Sequence, residues 1–294
     1  MNLLNQEQKG SLYALMSGFT YGLLGYFGIK IMDAGLSVFN MLFWRFFVAS
    51  LLIIVIMIVQ TRSERGSHID MIKMFFCGAL LHGTGSAVYF FSSKYIGTGL
   101  AMVIFFTFPA IVMLINWLIH KNRPTPLYFI AITVILAGLA LLVDLGDLKL
   151  DLIGIGLGIV SAIIYALYII CSKKTQLPPL TSTLMVSAGT ALTCFICALT
   201  GSTLTVPTSL NVWANIISLG VICTAIPILF LLEALKSISS EKASMLSVLE
   251  PVFVLFFGII LLGETVSTRQ MFGAIVILTG ALITLLSNNK RFQK

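Results

Sequence analysis

Ten apolar runs, each close to the length needed to cross a bilayer, follow one another along the chain with only short polar breaks between them. Crossing the hydrocarbon takes about 20 helical residues. Inside it every backbone N–H and C=O must be paired within the structure, which leaves helices or a closed barrel. A barrel would show short strands of alternating polarity, unlike these runs. The first five extend approximately from Gly10 to Ile31, Ser37 to Val59, Met71 to Phe91, Gly97 to Ile119 and Pro126 to Val143. The second five extend from Leu152 to Cys171, Thr181 to Thr200, Val212 to Leu235, Ala243 to Leu262 and Gln270 to Leu286. Charge is correspondingly scarce: 18 Lys+Arg and 11 Asp+Glu in 294 residues, 10% against roughly a quarter in soluble domains. So few charges cannot cover a water-facing surface, which excludes a soluble enzyme, a disordered chain and a nucleic-acid binder. The expected fold class is all-α integral membrane, with ten transmembrane helices.

The net charge of +7 is read first as a topology signal. With the N-terminus in the cytoplasm, the inside segments hold Lys9, Arg62, Arg65, Lys73, Lys121, Arg123, Lys173, Lys174, Lys236, Lys242, Lys290, Arg291 and Lys294, and the outside loops hold Lys30, Lys94, Lys149 and Arg269. This 13 to 4 split, with Arg45 inside a span, predicts that both termini are cytoplasmic. The acidic loop Asp144, Asp147 and Asp151 then faces outward. No nucleic-acid partner is needed to explain the basic residues. The polar stretch from Met1 to Lys9 leads into a full-length run without a small-residue cleavage site and reads as the start of a retained first helix.

The chain also repeats itself. Sliding the stretch from Lys94 to Val143 by 142 positions pairs Lys94 with Lys236, Ile96 with Ile238, Ala101 with Ala243, Pro109 with Pro251, Val112 with Val254 and Gly138 with Gly280, without a gap. Upstream, a shift of 144 pairs Gly10 with Gly154, Ser17 with Ser161, Tyr21 with Tyr165 and Lys30 with Lys174. Apolar coincidences are common, so the Pro, Gly, Tyr and Lys pairs carry the case. This divides the chain into two five-helix halves, 1–147 and 148–294, which together form one unit. Because five is odd, the second half is inserted upside down relative to the first, an arrangement that puts a substrate site near the midplane.

These residues resemble a known family. Lys94-Tyr95-Ile96 through Phe108-Pro109 is similar to the end of the third helix and the Pro-containing fourth helix of the drug/metabolite transporter superfamily, EamA type. Glu250-Pro251, followed by Leu262-Gly263-Glu264, Gly273 and Gly280, resembles the matching part of that family's second half. Trp44-Arg45-Phe46 resembles its Arg-containing second helix. Tyr21-Gly22 and Tyr165-Ala166 stand where the family often has Trp-Gly and Trp-Ala, and Lys121-Asn122 departs from the Gly263-Glu264 of the other half. The resemblance covers nearly the whole chain. It implies a ten-helix secondary transporter of the bacterial inner membrane, commonly an exporter of amino acids or related metabolites, working by alternating access.

Polar groups inside the spans are the site candidates, because a charge at bilayer depth is costly unless it faces a cavity or a partner. Glu250 lies near the middle of the ninth span. It either contacts a cationic substrate group or carries a coupling proton, unless it is a buried carboxyl bonded to a neighbouring helix. His82 shares a helix face with Ser86 and Tyr89, and a neutral imidazole both donates and accepts hydrogen bonds. Arg45 is expected to reach toward an interface or an ion pair, and Glu233 to pair with Lys236. Tyr21, Tyr26, Tyr89, Tyr165 and Tyr168 offer hydroxyls and ring faces for a pocket, with the duplicated pair Tyr21 and Tyr165 favoured. The repeat does not duplicate the charges, since Glu250 matches Phe108, His82 matches Thr224 and Arg45 matches Gly189. Pro109, Pro227 and Pro251 are the candidate hinges, because a missing N–H frees a carbonyl one turn back.

The alternatives are an intramembrane enzyme or a channel-like helix bundle. An enzyme would need a nucleophile with its base and an orienting group, and beyond His82 and Ser86 no such set is evident. Neither a metal nor another cofactor is expected. Of His68, His82 and His120 only one is deep in a span, and the Cys194/Cys197 pair has no second pair beside it. The other cysteines, Cys77, Cys171 and Cys223, also fall in apolar runs. No P-loop is present, so active transport would use a gradient, with proton or exchange coupling left open, or an ATPase partner. The expected partners are a small-molecule substrate and membrane lipid.

Overall fold

The computed structural model describes residues 5–60, 66–121, 124–143 and 150–286. Arg62, Arg65, Arg123, Asp144, Asp147, Lys149, Lys290, Arg291 and Lys294, all part of the charge distribution above, lie outside the described residues. The described chain forms ten apolar helical segments. Span 1 is α1 (Gln6–Tyr21) with α2 (Leu24–Asp33), and span 2 is α3 (Val38–Val59). Span 3 is α4 (His68–Cys77), a π-helical turn π1 (Gly78–Gly83) and α5 (Thr84–Ile96). Span 4 is α6 (Thr98–Phe105) with α7 (Phe108–His120), and span 5 is α8 (Pro126–Leu142). Span 6 is α9 (Leu152–Lys174) and span 7 is α10 (Pro179–Thr200). Span 8 is α11 (Leu210–Gly220), π2 (Val221–Ala225) and α12 (Ile226–Ser237). Span 9 is α13 (Ser240–Ser247), α14 (Glu250–Phe257) and π3 (Gly258–Leu262), and span 10 is α15 (Thr268–Leu286).

Nine of these segments have 18 or more residues. Span 5, at 17 residues, reaches about 25 Å at 1.5 Å per residue, still within the range that crosses a bilayer. Polar caps set several starts: Asn5 and Gln8 close a reciprocal capping box on α1, Ser37 caps α3, Asp151 caps α9 and Ser239 caps α13. Span 3 runs five residues beyond its expected end at Phe91, because the polar Ser92, Ser93 and Lys94 remain helical and Ser92 Oγ donates to the Gly154 carbonyl at 2.7 Å. Large apolar side chains such as Val55, Ile58, Leu118 and Leu282 are exposed on the outside of the bundle, where lipid would cover them.

Small residues let the helices approach. A Cβ on Gly138 would lie 2.8 Å from the Ile277 nitrogen, and one on Gly280 would lie 3.0 Å from the Ala131 carbonyl, so α8 and α15 cross in near backbone contact. Gly78 faces the Val186 backbone in the same way, joining π1 to α10.

The irregular turns recur at the offset read from the sequence. In span 4, Thr107 N–H donates to Ile104 C=O (3.1 Å) and Ala110 N–H to Thr107 C=O (3.0 Å). In span 9, 142 residues later, Leu249 N–H donates to Leu246 C=O (3.2 Å) and Val252 N–H to Leu249 C=O (3.0 Å). Both interruptions end in a helix with proline in its first turn, Pro109 or Pro251. π1 and π2 also stand 142 or 143 residues apart, start to start 143 and end to end 142. Span 1 breaks at Gly22 and Leu23 without a proline, whereas α9 runs on through Ala166.

Candidate functional site

The polar candidates collect where the helices are interrupted. Tyr21 is the last residue of α1, His82 lies in π1, Glu250 is the first residue of α14, and Phe105 and Phe108 flank the break in span 4. Freed backbone groups at such points are tolerated in a bilayer only where protein or a water-lined space receives them. Glu250 and Tyr165, near the middle of their spans, and Ser86 and Tyr89, further along span 3, are only partly buried.

His82, 4% exposed, contacts Thr190 Oγ1 through Nδ1 at 3.1 Å. Thr190 Oγ1 itself donates to the Gly78 carbonyl at 3.2 Å. A hydroxyl has one proton, so Thr190 accepts from His82 and Nδ1 carries the hydrogen. The imidazole is walled by Phe46 at 5.4 Å, Tyr165 at 5.9 Å and Tyr168 at 4.8 Å between ring centroids. Ser86 Oγ donates to the His82 carbonyl at 2.8 Å, so its proton is taken up by its own helix. Tyr89 packs on Phe105 at 5.2 Å, and Tyr165 packs edge-on against Phe108 at 4.8 Å. Tyr168 is fully buried, and its hydroxyl has no hydrogen-bond partner.

Arg45 does not reach an interface. It is 6% exposed, its Nη2 meets the Cys223 carbonyl at 3.4 Å, its guanidinium lies 4.7 Å from the Phe46 ring centre, and its Nε has no partner. The residue four positions after Cys223 is Pro227, which has no N–H to offer that carbonyl. Arg45 and Glu250 form no ion pair among the described residues.

Other expectations are corrected as well. Glu233 and Lys236 make no ion pair; the pairs among the described residues are Lys73 with Asp70 and Lys242 with Glu7. Lys242 is no loop charge: it lies in the first turn of α13 and is 4% exposed. Tyr26 sits apart, with Lys30 Nζ donating to its hydroxyl at 2.5 Å. The sequence reading missed Thr190, which only a run of Ser and Thr at helical spacing (Thr183, Ser187, Thr190) could have signalled, and Phe105, which carried no signal.

The two ends of the bundle differ. At the end bearing the N-terminus, Lys242 Nζ donates to Glu7 at 2.6 Å, and Asn116 Nδ2 donates to Ser240 Oγ at 2.8 Å and Glu241 at 2.7 Å. Lys173 Nζ, at the end of α9, donates to the Leu235 and Ile238 carbonyls at 2.5 and 2.9 Å. At the opposite end Gly99 and Leu100 occupy the positions 142 before Glu241 and Lys242, and Gly258 the position 142 after Asn116, so other residues make the bonds there: Asn40 Nδ2 donates to Thr205 Oγ1 at 2.7 Å, Trp44 Nε1 to the Thr205 carbonyl at 3.0 Å, and Arg269 Nη2 to the Ala140 carbonyl at 3.2 Å. Asp151, 144 after Glu7, instead accepts from Gly154 N–H at 2.8 Å.

The sequence pattern of the EamA-like transporter family matches residues 8–144 and again 152–286. An "uncharacterized transporter" of Clostridium kluyveri is 21% identical over 96% of this chain and 95% of its own length. The "uncharacterized transporter YwfM" of Bacillus subtilis is 28% identical over 62% of each chain. A solved crystal structure with 15% identity superposes with a TM-score of 0.81 over 94% of this chain and 96% of that one, showing the same fold. With ten apolar helices and both halves matched, this multi-pass membrane protein belongs to the EamA-like transporter family.

Proposed function

We propose that the chain is a secondary carrier that exports small organic metabolites, amino acids or related compounds, across the cytoplasmic membrane by alternating access. Its two halves, 1–147 and 148–294, are inverted repeats with both termini in the cytoplasm. Substrate sits between them at mid-depth, against Tyr21, His82, Ser86, Tyr89, Tyr165, Tyr168 and Glu250, while Pro109, Pro227 and Pro251 hinge the helices that move. The observation that carries this reading is the pair of mid-span breaks that recur 142 residues apart, at Thr107 in span 4 and Leu249 in span 9. Bonds between the halves hold both ends of the bundle, Glu7 with Lys242 and Asn116 with Ser240 at one, Ser92 with Gly154 and Asn40 with Thr205 at the other. Inverted halves bring such repeated irregular segments together around a central site.

Reconstitution in proteoliposomes tests the carrier. Counterflow that saturates with substrate is expected; flux that rises linearly with concentration would instead make the bundle a channel, and turnover of the solute in detergent would make it an enzyme. A pH gradient imposed across the same vesicles separates proton coupling from exchange.

A further inference from the structure

We propose that π1 and π2 are a matched pair of joints in spans 3 and 8, each held in its π form by polar side chains from the other half of the chain, so that Thr190, Thr193 and Arg45 are latches on spans that move. The proposal rests on the carrier reading and goes beyond its prolines: Pro227 follows π2, whereas α5, which follows π1, contains none. A π turn holds one residue more than the α turn it replaces, and such single turns recur at functional sites. Its return to α geometry turns the helix beyond it by about 100°. A pair of such turns can therefore re-aim half of each span without unfolding it.

The two turns occupy equivalent positions, and each is gripped from across the repeat. Gly78 opens π1, and Gly220, 142 residues later, ends α11 just before π2. A Cβ on Gly78 would lie 2.6 Å from Val186 Cα in span 7, and one on Gly220 would lie 2.9 Å from the Arg45 carbonyl oxygen in span 2. Span 7 belongs to the second half and span 2 to the first, so each turn lies backbone to backbone on the half it is not part of. These crossings deliver the polar groups. Carbonyls that a π turn leaves outside the α ladder need another donor when no water reaches them. At π1, Thr190 Oγ1 donates to the Gly78 carbonyl at 3.2 Å and Thr193 Oγ1 to the Ala79 carbonyl at 2.7 Å. At π2, Arg45 Nη2 donates to the Cys223 carbonyl at 3.4 Å, which Pro227 has no N–H to serve. At each turn a threonine hydroxyl also reaches back five residues, Thr84 to Ala79 at 3.3 Å and Thr224 to Leu219 at 2.9 Å. The latches differ in strength. Thr190 Oγ1 accepts from His82 Nδ1 at 3.1 Å, so release of π1 also frees the imidazole from its orienting partner. Arg45 holds π2 by one long bond, with its Nε unpartnered, and π2 is the looser joint.

Distances measured within single spans of the full-length protein, in lipid nanodiscs, test the joints without a substrate. Spin labels on ketone-bearing residues at the exposed positions Ile72 and Lys94 bracket π1, and at Leu210 and Lys236 they bracket π2, which leaves Cys77 and Cys223 in place. Wild-type protein is expected to show one dominant distance in each span. Thr190→Val with Thr193→Val should raise a second distance across π1, shifting the ratio of the two by about tenfold for the loss of two interhelical hydroxyl bonds. Arg45→Met should raise a second distance across π2. Thr190→Ser with Thr193→Ser keeps the hydroxyls and should restore the wild-type distance. Packing alone would lower the unfolding midpoint and leave each distance single. One unchanged distance in a folded latch variant overturns the proposal, as does a Ser variant that behaves like the Val variant. If the double Val variant does not fold, Thr193→Val, which leaves the acceptor of His82 intact, is read by the same criterion. If the distances respond while vesicles show no saturable flux, the joints stand and the carrier falls. If flux saturates while neither latch moves its distance, the carrier stands and the joints fall.

Discussion

At the residue scale the two halves diverge at the charged and titratable positions, and Glu250 against Phe108 is one of them. Tyr165 of the second half meets Phe108 of the first ring to edge, and the equivalent positions hold Tyr21 in the first half and Glu250 in the second. Phe108 against Glu250 thus puts an apolar group at one position and a carboxyl at its equivalent. Glu250→Gln keeps the shape and removes the charge. If Glu250 holds a substrate ammonium, binding should weaken at every pH; if it carries a coupling proton, binding should survive and the response of flux to an imposed pH gradient should vanish. Wild-type values in both assays would leave Glu250 a packing residue. Thr190→Val tests the neighbour that orients His82. It leaves the Nδ1 hydrogen without an acceptor inside the bundle, and the unfolding midpoint in detergent should fall by the equivalent of about 1 kcal/mol. An unchanged midpoint would mean that the imidazole finds another partner.

At the scale of elements, the breaks matter more than the helices they interrupt. Span limits were legible in the sequence to within a few residues because apolar length and polar caps set them. The breaks in spans 4 and 9 were legible through Pro109 and Pro251. π2 was legible through Pro227, in the first turn of the helix that follows it, whereas the breaks at Gly22 and in π1 were not, since no proline follows either of them. Gly22 has φ −55°, which any residue adopts, so its need is steric: an added Cβ would strike Phe253 of α14. Gly22→Ala should therefore part α1 from α14, cost about 1–3 kcal/mol of stability, and weaken substrate binding by moving Tyr21 from Glu250. Wild-type affinity in that variant would show that the contact is dispensable. Pro251→Ala offers Ser247 C=O a donor again and straightens span 9. It should fold and bind but turn over slowly, and unchanged turnover would remove Pro251 as a hinge.

For the whole molecule, the bonds between Glu7 and Lys242 and from Asn116 to Ser240 and Glu241 tie spans 1 and 4 to span 9 at the end bearing the N-terminus. Glu7→Gln strands the Lys242 ammonium. The expected loss is roughly 2 kcal/mol, below the 3–5 kcal/mol of a fully buried pair because a third of the Glu7 side chain is exposed. Since each 1.4 kcal/mol is tenfold, the closed state at this end should lose about 30-fold in population. Spin labels at Leu118 and Lys236, in protein without its native cysteines, should then report a second, longer distance; one unchanged distance would mean that the pair does not latch the end. Reporter fusions at Lys9 and at the C-terminal Lys294 check the sidedness, and either end appearing outside would reverse the assignment of export.

Apolar length and the scarcity of charge determined by themselves that this chain is a bundle of ten membrane helices, because neither property depends on which helices touch. The internal offset and the three prolines likewise needed no contacts to be seen. Whether a charged side chain inside a span snorkels, pairs or turns inward is another kind of question. Arg45 and Glu233 read alike in the sequence as residues seeking an edge or a partner. Packing sent Arg45 inward beside a carbonyl whose i+4 residue is Pro227, left Glu233 unpaired, and drew Lys242 out of the solvent onto Glu7. A side chain's partner is set by which helix faces it and at what depth, and only the folded arrangement of all ten helices decides that.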